Sequence, residues 1–205
     1  MKAAADVARA GAEAVEMAST IEDFIAWYQP RRCTVTDEYV LFWPGPFSQW
    51  GKYDITIDGV TYNCCEQYMM AEKAKLFEDE MALSAIMAAP DPSTQKFIGR
   101  QVKNFDLAKW NSRCRLIVTR ANYAKFTQYP VFMDMLLATG TRKIVEGSPD
   151  DSVWGIGMKY DDPKALNPRN WKGTNWLGEA IMKVRSEIIA ESKHPNPLYD
   201  VDAPF

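Results

Sequence analysis

The spacing of hydrophobic and polar positions changes several times along the chain, and each change marks an element. Residues 3–28 are alanine-rich at helical spacing and Pro30 ends that pattern, so residues 1–30 read as a helical extension. "YVLFW" (39–43) is an unbroken apolar run of strand length. "DITIDGVTYN" (54–63) alternates around Asp58-Gly59, the mark of two strands joined by a tight turn. "NCCEQYMMAEKAKLF" (63–77) then switches to helical spacing, with Asn63 as the expected N-cap. "DPSTQKFIGRQV" (91–102) predicts a helix capped by Asp91, with Pro92 in its first turn. Residues 107–128 predict one long amphipathic helix, and Pro130 opens another through "VFMDMLLATG". "TRKIVEGS" (141–148) returns to strand character. Residues 150–173 form a long loop rich in Gly, Pro and Asn, and loops of that length are functional or disordered. A last helix covers about 174–192 and a tail follows from 193. The sum is an α+β fold, a mostly helical single domain over residues 31–192 with a small antiparallel sheet.

Composition narrows the function. A chain of 205 residues, 47% hydrophobic, builds one ordinary core. A net charge of −3 argues against a general nucleic-acid or membrane-surface binder. No apolar run approaches the ~18 residues of a membrane span. Asp6, Arg9 and Glu13 stand where a signal peptide needs apolar residues, so a cytoplasmic protein is expected. Cys33, Cys64, Cys65 and Cys114 show no C-x-x-C spacing, and His194, the one histidine, falls in the tail. No metal and no cofactor are expected, and acid–base chemistry falls to carboxylates, Lys, Tyr or Cys.

Charge placed on an apolar stripe is the strongest chemical signal. At about 100° per residue, Met69, Lys73, Leu76, Phe77, Met70 and Ala74 all fall within about 80° of Glu66. A carboxylate and an ammonium thus sit in the apolar arc of one helix, where burial costs energy unless the charge is paired or has a task. A cap at Asn63 with Glu66 at the third helical position explains the glutamate alone, and a snorkelling side chain explains Lys73 alone. Together they converge on a ligand or form a buried ion pair. Trp50 in "GPFSQW" and Trp154 in "DDSVWGIG" lie in loops beside small polar residues, as a planar base or a sugar requires. Asp151 precedes Trp154 by three residues, and "KGTN" (172–175) before the last helix is a weak phosphate signal.

These segments, in this order, resemble the NADAR family, the YbiA-like N-glycosidases. The match is carried by "GPFSQW" (45–50), "YNCCEQYMMAEKAKLF" (62–77), "FIGRQVKNFDLAKW" (97–110), "ANYAKFTQYPVFMDMLLATGTRKIVEGSPDDSVWGIG" (121–157) and "KGTNWLG" (172–178), within about residues 39–190. The resemblance implies hydrolysis of the N-glycosidic bond between a base and a phosphorylated ribose. The implied substrates are ADP-ribose conjugates, including ADP-ribosylated guanine in nucleic acid and NAD-derived nucleotides, and phosphoribosylamino-pyrimidines of the riboflavin pathway. It places Glu66, Lys73 and Asp151 in catalysis, and Phe47, Ser48, Gln49, Trp50, Arg100, Trp110, Trp154 and Asn175 in substrate binding. Glu66 would support positive charge at C1′, Asp151 the ribose hydroxyls or acid–base work, and Arg100 and Asn175 the phosphate. Lys73 would orient Glu66 by charge or attack an opened C1′ aldehyde as a Schiff base. Gln67 replaces the family's commoner histidine, Gln49-Trp50 stands where Asn-Phe is frequent, and the loop between Gly157 and Lys172 is longer than in short bacterial members. The competing class is a non-catalytic ADP-ribose or nucleotide-binding module.

Overall fold

A computed structural model describes residues 33–193; the alanine-rich extension, His194 and the tail lie outside the described residues. Strand β1 (Cys33–Val35) runs antiparallel to β2 (Tyr39–Phe42). Strands β3 (Ile55–Ile57) and β4 (Val60–Tyr62) form the expected hairpin, with Asp58 and Gly59 both at positive φ as a tight turn between twisted strands requires. Helices α1 (Cys65–Leu76), α2 (Glu80–Ala88), α3 (Pro92–Gly99), α4 (Leu107–Asn111), α5 (Cys114–Gln128) and α6 (Pro130–Ala138) follow. Strand β5 (Lys143–Glu146), two short 3-10 turns and helix α7 (Trp176–Lys193) complete the described chain. The α+β class stands. The sheet is mixed where an antiparallel one was expected, because β5 joins β2 in parallel, with Phe42 opposite Glu146. The β3–β4 hairpin and helices α1–α6 lie between these two strands, the long crossover that parallel neighbours need.

Both faces of β2 are covered. Val40 and Phe42 enter the main core, and Tyr39 and Leu41 pack with Ile156, Met158 and Ala165 from the long loop. That loop is therefore a packed layer on the sheet. Gly155 lies where an added Cβ would meet the carbonyls of Asp151 and Glu146, each at 2.9 Å. Only glycine lets the loop return so closely to the end of β5.

The expected single helix over 107–128 divides in two. Asp106 caps α4 by accepting from Lys109 N–H at 2.6 Å, and the Ser112 hydroxyl donates to the carbonyl of Lys109 where the helix breaks. On the side of α1 away from Glu66, Gln67, Tyr68 and Ala71 are buried as well, since α1 packs against α2, α3 and α5, and Lys75 is exposed. Helix α2 and strand β1 were not foreseen. Asp79 starts α2, accepting from Ala82 N–H at 3.1 Å and from Lys103 N–H at 2.9 Å.

The start of α1 also departs from expectation. Its N-cap is Cys64, whose sulfur accepts from Gln67 N–H at 3.4 Å. The Gln67 side chain reaches back to Asn63 N–H at 2.7 Å and donates to the carbonyls of Ile86 and Met87. Gln67 thus performs the reciprocal capping assigned to Glu66, and Glu66 is free of that duty. Gln67→Ala is expected to cost about 2–3 kcal/mol in urea unfolding, because buried backbone groups lose their partners. Glu66→Ala should leave the cap intact.

Candidate active site

Above the first two turns of α1 lies a cavity of about 490 Å³. Helix α1 gives it Glu66, Met69, Met70 and Lys73; α3 gives Lys96 and its capping residue Arg100; α4 gives Trp110. The loop after β2 adds Trp43, Ser48, Gln49 and Trp50, and the end of β5 with its following loop adds Glu146, Ser148, Asp151 and Trp154. Tryptophans thus flank a polar centre, a lining suited to a planar group joined to a hydroxylated one.

Main-chain bonds set the position of Glu66. Its N–H donates to Gln49 O at 3.1 Å, which hangs the Trp50 loop over the start of α1. The Trp50 side chain hydrogen-bonds the Glu66 carboxylate. Ser48 holds the loop's turn, its hydroxyl accepting from Trp50 N–H at 3.1 Å, while the buried Lys125 ammonium donates to Ser48 O at 3.2 Å. Only 5% of Glu66 is exposed, and burial pushes its pKa up to about 7, against the pull of Lys96, the Trp50 hydrogen bond and Arg100.

Asp151 is differently placed. One carboxylate oxygen accepts from Val153 N–H at 3.0 Å and Trp154 N–H at 2.8 Å, and the other faces the Lys96 ammonium at 3.3 Å. Its negative charge raises the pKa of both Glu66 and Glu146. Lys73 donates to Gly99 O at 2.7 Å, with its ammonium 4.3 Å from the Phe105 ring centre and 5.5 Å from that of Trp110. Burial, then the nearby Arg100, lower its pKa.

The structure brings Glu66, Lys73, Asp151, Ser48, Gln49, Trp50, Arg100, Trp110 and Trp154 to this one cavity. Phe47 and Asn175 are not among its lining residues. Phe47 is fully buried and packs on Phe42 and Phe126, each ring centre 5.6 Å away. Asn175 spends its side chain on β5, accepting from Glu146 N–H and donating to Ile144 O, both at 3.0 Å. A phosphate role for it would break that tie.

Three charged lining residues escaped the sequence reading: Lys96, Glu146 and Asp150, the neighbour of Asp151. Lys96 stands four residues before Arg100, on the same face of α3, and that spacing was a usable signal. Glu146 ends β5, where strand spacing alone does not tell a cavity from solvent.

Comparison with known proteins gives a consistent result. The NADAR domain matches residues 35–189. "N-glycosidase R617" of Acanthamoeba polyphaga mimivirus is 38% identical over 165 residues, covering 74% of this chain and 97% of that protein. "N-glycosidase YbiA" of Shigella boydii serotype 4 is 30% identical over 158 residues, covering 77% of this chain and 87% of that protein. The solution NMR structure of the E. coli protein YbiA superposes with a TM-score of 0.65 at 27% identity, covering 80% of this chain and 93% of that one.

Proposed function

The chain belongs to the NADAR domain family and is a hydrolase of N-glycosyl bonds, and on that footing we propose that it releases a base from a phosphorylated ribose. The carrying observation is the buried Glu66 carboxyl, held beneath Trp50 in a cavity that also presents Lys73, Lys96 and Arg100. Cleavage develops positive charge at C1′, and a carboxylate in a water-poor cavity stabilises it and activates water. Arg100 at the exposed rim suits phosphate oxygens, and Trp110 and Trp154 suit the faces of a base.

We take an ADP-ribose conjugate as the substrate class, with a base in nucleic acid or a free NAD-derived nucleotide as the leaving end. Phosphoribosylamino-pyrimidines are the smaller alternative. A chromatographic screen for base release decides among them. ADP-ribosylated guanine in DNA and RNA, NAD-related dinucleotides and phosphoribosylamino-pyrimidines are its arms. Release from the first two groups and not the third is the expected outcome.

The lowered pKa of Lys73 favours a covalent role, since a neutral amine can attack an opened C1′ aldehyde. The amine nitrogen bonds to C1′, water leaves as the imine forms, and water returns to release the ribose. Borohydride added during turnover should then leave a reduced ribosyl adduct on Lys73 in the mass spectrum. Full activity with no adduct would reduce Lys73 to a charge that orients the substrate.

A further inference from the structure

Among the described residues two buried side-chain oxygens have no hydrogen-bond partner, Asn122 Oδ1 and Glu146 Oε2. Glu146 lines the same cavity as Glu66, and its oxygen is shielded from solvent without a donor. A buried carboxylate in that state is costly, whereas a protonated carboxyl carries its own donor. The charged groups around it are Asp151, Lys96, Glu66 and Lys125. The backbone of Glu146 is fixed on both sides: its N–H donates to Asn175 Oδ1 at 3.0 Å, and its carbonyl accepts from Ile156 N–H at 3.0 Å.

We propose that Glu146 is the proton donor to the departing base, a catalytic role that rests on the N-glycosidase reading of this cavity. In the hydrolytic step the C1′–N bond breaks and its electron pair stays with the base nitrogen. That nitrogen takes the proton of Glu146. The oxygen of water bonds to C1′, and the proton it loses goes to Glu66. Exchange with solvent then removes one proton from Glu66 and returns one to Glu146. Two neighbouring carboxyls with unlike surroundings divide these tasks. Glu66 has the Trp50 donor and the nearby cations Lys96 and Arg100, and ionises first. Glu146 has an orphan oxygen and two acidic neighbours, and burial with the charge of Asp151 raises its pKa to about 8.

The test is Glu146→Gln assayed by base release across pH, with ligand binding and thermal unfolding as controls. The expected result is a fall in kcat of about 10²–10³, with KM and melting temperature little changed. Wild-type kcat/KM should fall as pH rises through about 8, and the variant's residual rate should lack that alkaline limb. A variant within about threefold of wild type, or one that keeps the limb, overturns the proposal and leaves the glycosidase reading standing. A wild type that releases no base from any ribosyl conjugate removes that reading and the proposal together. Should the variant fail to fold, the wild-type profile decides: a flat kcat/KM from about pH 7 to about pH 10 overturns the proposal, and a falling limb supports it.

Discussion

Glu66→Gln is expected to lower turnover by about 10³ while making the protein more stable at neutral and alkaline pH. The first effect follows from the role proposed for Glu66, the carboxylate that meets positive charge at C1′. The second follows from linkage. The Glu66 pKa is about 7 in the folded chain, against an ordinary value of 4.5. Between those values the folded state holds a proton that the unfolded chain has released. Folding stability therefore falls as pH rises from about 4.5 through about 7, and stays low above. Glutamine fills the same volume and has no charge to bury. Its gain above pH 7 is about 1–3 kcal/mol, at ~1.4 kcal/mol per pKa unit and less the cost of burying the amide. Thermal unfolding at a series of pH values, beside steady-state assays, checks both halves. A stable Glu66→Gln protein with wild-type turnover would remove Glu66 from the mechanism. A loss of stability would make its carboxylate a structural device.

Asp151→Asn should slow turnover by about 10–10² and move the pH–rate profile toward acid. The amide keeps an oxygen for the N–H groups of Val153 and Trp154, so the loop should hold its turn. The negative charge goes, and with it a cause of the raised pKa of both glutamates. Lys96 loses its partner at 3.3 Å, and its charge continues to hold both values down. Profiles of kcat/KM for the two proteins measure the shift directly. An unmoved profile would show that Asp151 acts through the loop alone.

The arc shared by Glu66 and Lys73 was legible because charge on an apolar stripe violates the helical pattern that surrounds it. The hairpin and the cap at Asp91 were legible because their residues carry the required backbone geometry. The start of α1 was misread for a physical reason. A four-residue capping template fits Asn63 to Glu66, and it fits Cys64 to Gln67 equally well in spacing. Cysteine is not a favoured cap, and tertiary bonds from Gln67 to Ile86 O and Met87 O decide the register. Asn175 was misplaced because an asparagine before a helix looks the same whether it faces a phosphate or a strand. The parallel pairing of β5, and with it the position of Glu146, depends on a contact between distant segments that local spacing does not encode.

The loop that carries Trp50 hangs on carbonyl oxygens: Gln49 O takes the N–H of Glu66, Ser48 O takes Lys125, and Gly45 O takes Ser48 N–H. None of these acceptors depends on which side chain stands at position 49 or 50. Substitution at position 50 can thus redraw the wall of the cavity while the backbone of Glu66 keeps its place, at the loss of the Trp50 donor to its carboxyl, whereas Gln49 is tied down by Asn122 and Met69. That separation gives this scaffold a cheap evolutionary route to new leaving groups, and a protein engineer a position to randomise first.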